Sequence, residues 1–228
     1  MNAAANPLPI VVLISGKGSN LQAIAEAAAA GDLPVEVRAV VSDRPDAGGI
    51  DWAASRGLRT AVLQPGDFRD RTEYGRALAD LVARFEPGLV VLAGFMRILD
   101  PTFVDRFAGR LLNIHPSLLP RHRGLHTHRR VLEAGEPEHG ASVHFVTREL
   151  DGGPVVIQAA IPVRAGDDEA TLAARVLAQE HRIYPQCIGW FAAGRLACRD
   201  GAVWFDGRRL DGPLRVEKQD DGDEVVAA

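Results

Sequence analysis

Apolar residues occur along the chain in short runs that are separated by longer, mixed stretches. The runs Ile10–Ile14 and Leu89–Leu92 contain no polar residue. A strand that is covered on one face only would alternate apolar with polar residues, so these runs predict strands that are buried on both faces. Further extended segments are predicted at 35–41, 60–63, 111–115, 142–147 and 155–163.

The stretches between these strands favour helices. Residues 21–30 are rich in alanine, which has the highest helix propensity, and Gly31 follows as a helix stop. Strands that alternate with helices are typical of a parallel sheet with helices on both faces. The other predicted helices span 46–56, 70–85 and 168–190.

The C-terminal third departs from this alternation. Asp167 or Asp168 can cap the long helix, and Pro185 should kink or break it because proline has no N–H to donate. Residues 194–205 have the pattern of a β-hairpin. The chain from Val216 onward is polar and is expected to be frayed.

The predicted fold class is therefore α/β, with a Rossmann-like, mostly parallel sheet, helices on both faces and a small C-terminal β-hairpin. No repeat or linker divides the sequence. We expect a single domain over residues 1–228, with a core at about 10–205 and a polar tail at about 216–228.

Composition narrows the functional class. Of the 228 residues 46% are apolar, as in ordinary globular enzymes, and the net charge of -4 argues against a nucleic-acid-binding surface. The longest apolar runs are too short to span a bilayer, and the N-terminal residues lack the pattern of a signal peptide. Cys187 and Cys198 form neither a disulfide framework nor a zinc signature. A cytoplasmic protein without membrane partners is expected.

A glycine-rich loop at 15–20 follows the first strand and opens the first helix. Free amides at a helix start, aligned with the helix dipole, favour an anion such as phosphate. The loop is no P-loop, because it lacks the Gly-Lys-Ser/Thr ending. Asp43, after the second strand, could bind a ribose, so a nucleotide cofactor remains an alternative. A tight turn without a ligand is another.

Asn113 and His115 lie two residues apart on a predicted strand that ends at Pro116. Both side chains should therefore point to the same face. An amide donor beside a titratable imidazole suits the stabilisation of an oxyanion and the transfer of a proton. A histidine at a strand end is, however, often structural.

Asp151 lies in a loop between two predicted strands, with two glycines and a proline after it. A carboxylate near His115 would orient the ring and favour its charged form. The alternative is that Asp151 only forms the turn.

Six of the seven histidines lie between His115 and His144, which raises the alternative of a metal site. His122, His126 and His128 could ligate zinc or iron. No cysteine lies near them, and His126 and His128 diverge if they open a helix.

Several segments of the chain, taken together, are similar to a known family. They closely resemble the phosphoribosylglycinamide formyltransferases, which are folate-dependent enzymes of purine synthesis. The resemblance runs from about Ile10 to Phe205, nearly the whole chain. The segments that carry it are 15–24, 92–99, 113–120 and 150–154, with support from 124–128 and 179–185.

The resemblance implies that the enzyme transfers the formyl group of 10-formyltetrahydrofolate to the amine of glycinamide ribonucleotide, without a metal. It implies that Asn113 and His115 stabilise the oxyanion and transfer the proton, and that Asp151 favours the charged form of His115. The implied phosphate ligands are Gly18, Ser19 and Asn20, and Glu180 is implied to contact the ribose. The implied folate pocket comprises Arg71, Met96, Arg97, Ile98, Leu99, Asn113, Thr147, Arg148, Glu149, Leu150 and Asp151.

Two positions depart from the family pattern. Lys17 replaces a small or uncharged polar residue, and residues 121–123 are more basic than the segment usually found there. We expect small-molecule partners only, glycinamide ribonucleotide and formyl folate, and a monomer or weak homodimer.

Four other functions are less well supported. Methionyl-tRNA formyltransferase and formyltetrahydrofolate hydrolase would need further domains. A nicotinamide-dependent dehydrogenase could use the glycine-rich loop and Asp43, but it would leave Asn113, His115 and Asp151 less well explained. A non-catalytic nucleotide-binding module would need none of these three residues.

Overall fold

The strands without polar residues lie at the centre of the fold, because both of their faces are covered. The computed structural model describes residues 6–219 and 222–227. In the first strand, β1 (Leu8–Ile14), successive side chains enter opposite cores, as the twofold period of a strand requires. Ile10, Val12 and Ile14 lie in one core, and Val11 and Leu13 lie in the other.

Nine strands form the main sheet, in the order β12-β11-β7-β6-β5-β4-β1-β2-β3. Five of its eight neighbouring pairs are parallel, so the predicted mostly parallel sheet is confirmed. The other strands are β2 (Val35–Ser42), β3 (Thr60–Val62), β4 (Leu89–Leu92), β5 (Leu111–His115), β6 (Glu138–Phe145), β7 (Val155–Pro162), β11 (Leu214–Gln219) and β12 (Gly222–Ala227).

Helices cover both faces of this sheet, as predicted. Helices α1, α2, α5 and α6 contribute buried residues to one core, and α3 and α4 contribute to the other. Within the described ranges, no helix is long and apolar enough to cross a membrane. The helices are α1 (Ser19–Ala30), α2 (Gly48–Ser55), α3 (Arg71–Ala83), α4 (Pro101–Arg106), α5 (Thr127–Ala134) and α6 (Glu169–Ala192).

The long helix α6 begins where the sequence predicts. The Asp168 side chain caps it by accepting a hydrogen bond from the Thr171 amide, at 2.7 Å. Of the two outcomes expected at Pro185, a kink or a break, the break is wrong, because α6 continues to Ala192. Burial of the side chains on both sides of the proline outweighs the lost backbone hydrogen bond.

Two boundaries differ from the sequence predictions. Strand β6 begins at Glu138 rather than at Ser142, because buried His139 and Gly140 extend it. The expected frayed tail is instead strands β11 and β12, although residues 220, 221 and 228 of that tail lie outside the described residues. The predicted C-terminal hairpin is confirmed as β8 (Leu196–Arg199) and β9 (Ala202–Phe205), with β10 (Arg208–Arg209) as a third strand.

A buried tyrosine fixes α6 against the sheet. The Tyr184 hydroxyl lies 2.9 Å from the Leu92 carbonyl oxygen and 3.0 Å from the Leu112 carbonyl oxygen. Glu180 lies four residues earlier, on the same face of α6. The helix therefore presents Glu180 to the end of the sheet where β1 leads into α1.

Candidate active site

Four side chains form a connected polar cluster where β5, β6 and the loop after β6 meet. Asn113 Nδ2 lies 3.2 Å from His144 Nε2, and His144 Nε2 lies 3.7 Å from Asp151 Oδ1. Asp151 Oδ2 lies 3.6 Å from His115 Nδ1. The structure thus brings together the three residues that were predicted as catalytic, and adds His144 between them.

Both ring nitrogens of His115 face oxygen atoms. Nε2 donates a hydrogen bond to the His122 carbonyl oxygen at 3.0 Å, while Nδ1 faces the Asp151 carboxylate. An imidazole that is protonated on both nitrogens can donate in both directions. The surroundings of His115 therefore suit a proton donor with a negative charge beside it.

The backbone of the loop after β6 presents Asp151 to this cluster. Asp151 has φ 47°, a left-handed conformation that Asp and Asn adopt more readily than most other residues. Its Oδ2 accepts a hydrogen bond from the Gly124 amide at 2.8 Å. Gly153 lets the loop close on β6, because a side chain there would overlap the Phe145 carbonyl oxygen. The Gly124 amide and the close contact of the loop with β6 therefore hold the Asp151 carboxylate in place.

The glycine-rich loop joins β1 to α1 as predicted. Gly18 has φ 72° and precedes α1, and no side chain caps the start of this helix. Its first turn contains no acidic residue, so its amides and dipole are available to an anion. Lys17 in this loop is exposed.

Asn20 and Glu180 meet beside the same loop. Asn20 Nδ2 donates to Glu180 Oε2 at 2.7 Å, and both residues are buried. Burial raises the pKa of Glu180, although the hydrogen bond from Asn20 opposes this shift. Asn20 Oδ1 is buried and has no hydrogen-bond partner among the described residues. Asn20 Oδ1 is therefore free to accept a hydrogen bond from a ligand.

A cleft of about 500 Å³, open mouth included, adjoins the polar cluster. Nine of the eleven predicted folate residues line it: Arg97, Ile98, Leu99, Asn113, Thr147, Arg148, Glu149, Leu150 and Asp151. The sequence reasoning did not find its other lining residues, which are Leu92, Phe95, Val104, His144 and Val146.

Three apolar side chains near this cleft are exposed: Met96 at 66%, Ile98 at 56% and Leu150 at 48%. Such exposure is typical of a surface that a ligand covers. Arg71 and Met96 do not line the cleft. Arg71 instead donates to the Leu99 carbonyl oxygen at 2.9 Å, so it holds one wall of the cleft in place.

Asp43 does not serve as a free ribose ligand. Its side chain is 2% exposed, and its Oδ2 accepts from Arg97 Nε at 2.8 Å. Asp43 is therefore not available to bind the ribose of a nucleotide cofactor, which removes the support for that alternative.

The basic segment 121–123 is neutralised by acidic partners. His122 Nε2 lies 2.6 Å from Glu136 Oε1, and Arg121 pairs with the same carboxylate at 3.4 Å. Arg123 pairs with Glu149. The extra positive charge thus links this segment to the loop between α5 and β6 and to the loop after β6.

The histidines proposed as metal ligands do not converge. His122 is paired with Glu136, His126 is exposed, and His128 Nδ1 lies 2.9 Å from His139 Nε2. Across the part of the chain that the structure describes, no group of three or more His, Cys, Asp or Glu could hold a metal ion.

The His128–His139 pair makes stability depend on pH. Burial is the main reason that the pKa of His139 falls from 6.5 to about 4, with the neighbouring histidines adding to it. The unfolded chain binds this proton near pH 6.5 and the folded chain does not, so folding loses stability as the pH falls from 6.5 to 4. We expect a loss of about 3 kcal/mol at most in the free energy of unfolding.

Urea unfolding of the wild type and of His139→Gln at several pH values measures this loss. The variant should show a shallower decline between pH 6.5 and 4. If the free energy of unfolding falls equally steeply with pH in both proteins, His139 does not cause the loss of stability.

Comparisons with known proteins show the family of the chain. A family model described as formyl transferase matches residues 8–188. The chain is 57% identical to phosphoribosylglycinamide formyltransferase of Escherichia coli over 201 residues, which is 88% of this chain and 95% of that protein. It is 40% identical to the trifunctional purine biosynthetic protein adenosine-3 of Homo sapiens over 185 residues, 81% of this chain and 18% of that protein.

Solved structures show the same fold. The phosphoribosylglycinamide formyltransferase of Coxiella burnetii superposes with a TM-score of 0.87 at 48% identity, over 91% of this chain and 99% of that one. Glycinamide ribonucleotide transformylase 1 of Symbiobacterium toebii gives a TM-score of 0.85 at 43% identity, over 88% of this chain and 95% of that one. Sequence and fold therefore agree that the chain belongs to the formyl transferase family, and within it to the phosphoribosylglycinamide formyltransferases.

Proposed function

We propose that this enzyme transfers the formyl group of 10-formyltetrahydrofolate to the amine of N1-(5-phospho-β-D-ribosyl)glycinamide, a step of purine synthesis. The products are the N-formyl nucleotide and tetrahydrofolate. The observation that carries the proposal is that Asn113, His144 and Asp151 form part of the lining of the cleft that residues 97–99 and 147–150 also line. Groups suited to acyl transfer therefore adjoin the cleft that would hold the donor.

The chemistry begins with attack of the substrate amine on the formyl carbon. The carbonyl oxygen becomes negatively charged in the tetrahedral intermediate, and a hydrogen bond from Asn113 Nδ2 stabilises that charge. His115 then delivers a proton toward N10 of the folate as its bond to the formyl carbon breaks. The attacking nitrogen then gives its extra proton to His115, which restores the protonated ring, so charge and hydrogen balance. Asp151 stabilises the positive charge of His115 before the transfer.

The remaining residues bind the two substrates. Gly18, Ser19 and Asn20 place their backbone and side-chain donors around the substrate phosphate at the start of α1. Glu180 accepts hydrogen bonds from the ribose. The folate lies in the cleft between segments 96–99 and 147–151, with Arg71 supporting the first of these. We place this enzyme in the cytoplasm, as a monomer or weak homodimer.

A spectroscopic assay tests the proposal directly. Purified protein is mixed with 10-formyltetrahydrofolate, and absorbance of the folate chromophore is followed before and after addition of glycinamide ribonucleotide. We expect the change to require both the enzyme and the nucleotide. Turnover without the nucleotide would indicate a hydrolase, and NADH binding without formyl transfer would indicate a dehydrogenase.

Lys17 offers a test of the phosphate loop. It is exposed between two glycines, so its ammonium can approach the phosphate of the nucleotide. Such a screened contact contributes no more than about 1 kcal/mol. We expect Lys17→Asn to raise KM for glycinamide ribonucleotide a few-fold, with kcat and the folate KM unchanged.

The Lys17 effect should shrink as salt is raised, which steady-state kinetics at two ionic strengths will show. The matched control is Arg84→Asn, which removes an exposed cation from the end of α3. An unchanged nucleotide KM in Lys17→Asn at low salt would leave Lys17 without a role in binding.

Metal removal should not affect the reaction. The chemistry proposed above uses only amide, imidazole and carboxylate groups. We expect full formyl-transfer activity after dialysis against a strong chelator. Loss of activity that zinc or iron restores would contradict this expectation and would bring back a metal site among the histidines.

A further inference from the structure

His144 is a buried residue for which the reaction described so far has no use. It lies on β6 directly opposite Asn113 on β5, in the antiparallel register of the two strands. Its side chain is 2% exposed, and it lines the cleft next to Asn113 and Asp151. A buried polar ring at this place needs a reason, because desolvation of a polar group is unfavourable unless its hydrogen bonds are satisfied.

The hydrogen bonds of His144 determine its tautomer. Nδ1 lies 2.9 Å from the Phe145 carbonyl oxygen, which can only accept, so Nδ1 carries the hydrogen. Burial lowers the pKa of His144 and favours the neutral ring, although the hydrogen bond to the Phe145 carbonyl and the Asp151 carboxylate, 3.7 Å from Nε2, oppose this shift. In a neutral ring with a hydrogen on Nδ1, the other nitrogen Nε2 has a lone pair and can only accept.

This tautomer fixes the orientation of the Asn113 amide. Nε2 of His144 lies 3.2 Å from Asn113 Nδ2, which donates to it. If the amide were turned over, its oxygen would face the lone pair of Nε2 and the hydrogen bond would be lost. The second hydrogen of Asn113 Nδ2 has no partner among the residues that the structure describes, and Asn113 lines the cleft.

We infer that His144 is a positioning residue, which holds the amide nitrogen of Asn113 toward the reacting oxygen by accepting one of its two hydrogens. The inference rests on the proposed function, in which Asn113 stabilises the oxyanion. A donor that is fixed before the reaction stabilises the developing charge without reorganising during it. Without His144, the amide can turn and present its oxygen to the negative charge.

A double-mutant cycle tests this role. His144→Phe keeps an aromatic ring but removes the acceptor, so it should lower kcat about ten- to hundredfold, since loss of a whole oxyanion donor costs about 10²–10³. Both KM values should change less than about twofold. In the Asn113→Ala background, His144→Phe should have almost no further effect, because His144 acts through Asn113.

Two further variants separate positioning from packing. His144→Gln can accept through its side-chain oxygen and should recover most of the lost kcat. His139→Phe makes the same change at another buried histidine of β6, which is bonded to His128, and should leave kcat near that of the wild type. Additive losses in the double mutant, or no recovery with glutamine, would overturn the inference.

Nitrogen NMR of the wild type provides a test that does not depend on mutant folding. We expect His144 at neutral pH to show a protonated Nδ1 and an unprotonated Nε2. A proton on Nε2 would overturn the inference. If the wild type lacks formyl transfer in the assay, the proposed function fails, whereas a wild-type kcat in His144→Phe contradicts only the role of His144.

Discussion

His115→Ala should lower kcat by about 10²–10⁴, the range that a general acid–base group typically contributes. The substitution removes an imidazole whose two nitrogens face Asp151 Oδ2 and the His122 carbonyl oxygen. KM values should change little, because the ring acts on the proton that moves in the transition state rather than on bound substrate. Single-turnover kinetics at saturating substrates measure the loss.

The control for this variant is His126→Asn. His126 is exposed and has φ 58°, a conformation that asparagine adopts readily, so the substitution removes an imidazole without straining the backbone. Its kcat should match that of the wild type. Undiminished kcat in folded His115→Ala would remove His115 from the mechanism.

Asp151→Asn should lower kcat by about 10²-fold while the fold is kept, a loss at the lower end of what a general acid–base group contributes. The left-handed backbone at Asp151 suits asparagine equally well, and the amide oxygen can still accept from the Gly124 amide. The negative charge 3.6 Å from His115 Nδ1 is lost, however, so the ring loses the carboxylate that faces the proton it transfers. Single-turnover kinetics of the folded variant at saturating substrates measure the loss.

Asp206→Asn is matched to this variant in chemistry and in backbone. Asp206 also has a left-handed conformation, with φ 49°, and also faces a cationic side chain, Arg195. It lies after β9, away from the cleft. Its kcat should remain unchanged. If both aspartate variants behave alike, the charge of Asp151 has no special role.

Much of the fold follows from local pattern. The unbroken apolar runs of β1 and β4 predict central strands because burial on both faces leaves no place for polar residues. The cap at Asp168 is equally local, since it needs only one side chain and the third amide after it. The helix predicted at 168–190 already includes Pro185, but its continuity there could not be predicted, because packing against the sheet overrides the local preference.

Some residues of the site could likewise be predicted from the sequence, and others could not. Asn113, His115 and Asp151 could be chosen because their residue types and family motifs suit the chemistry. His144 could not be assigned a place, since its contact with Asn113 depends on the antiparallel register of β5 and β6, which no local pattern specifies. Phe95 and Val104 likewise could not be assigned to the lining of the cleft, because the segments that contain them meet the loop after β6 only in the folded protein.

The buried polar atoms without partners around the site carry a consequence for engineering. Among the described residues, Asn20 Oδ1 is such an atom, beside the loop that joins β1 to α1. Each unsatisfied group of this kind costs a folded protein about 1–3 kcal/mol. Selection for heat resistance alone would therefore favour joint apolar replacement of Asn20 and its buried partner Glu180, since replacing either alone would leave the other unpaired. Such variants would gain thermostability by giving up the groups that a substrate can satisfy, so resistance to heat and affinity for substrate should trade against each other around this cleft.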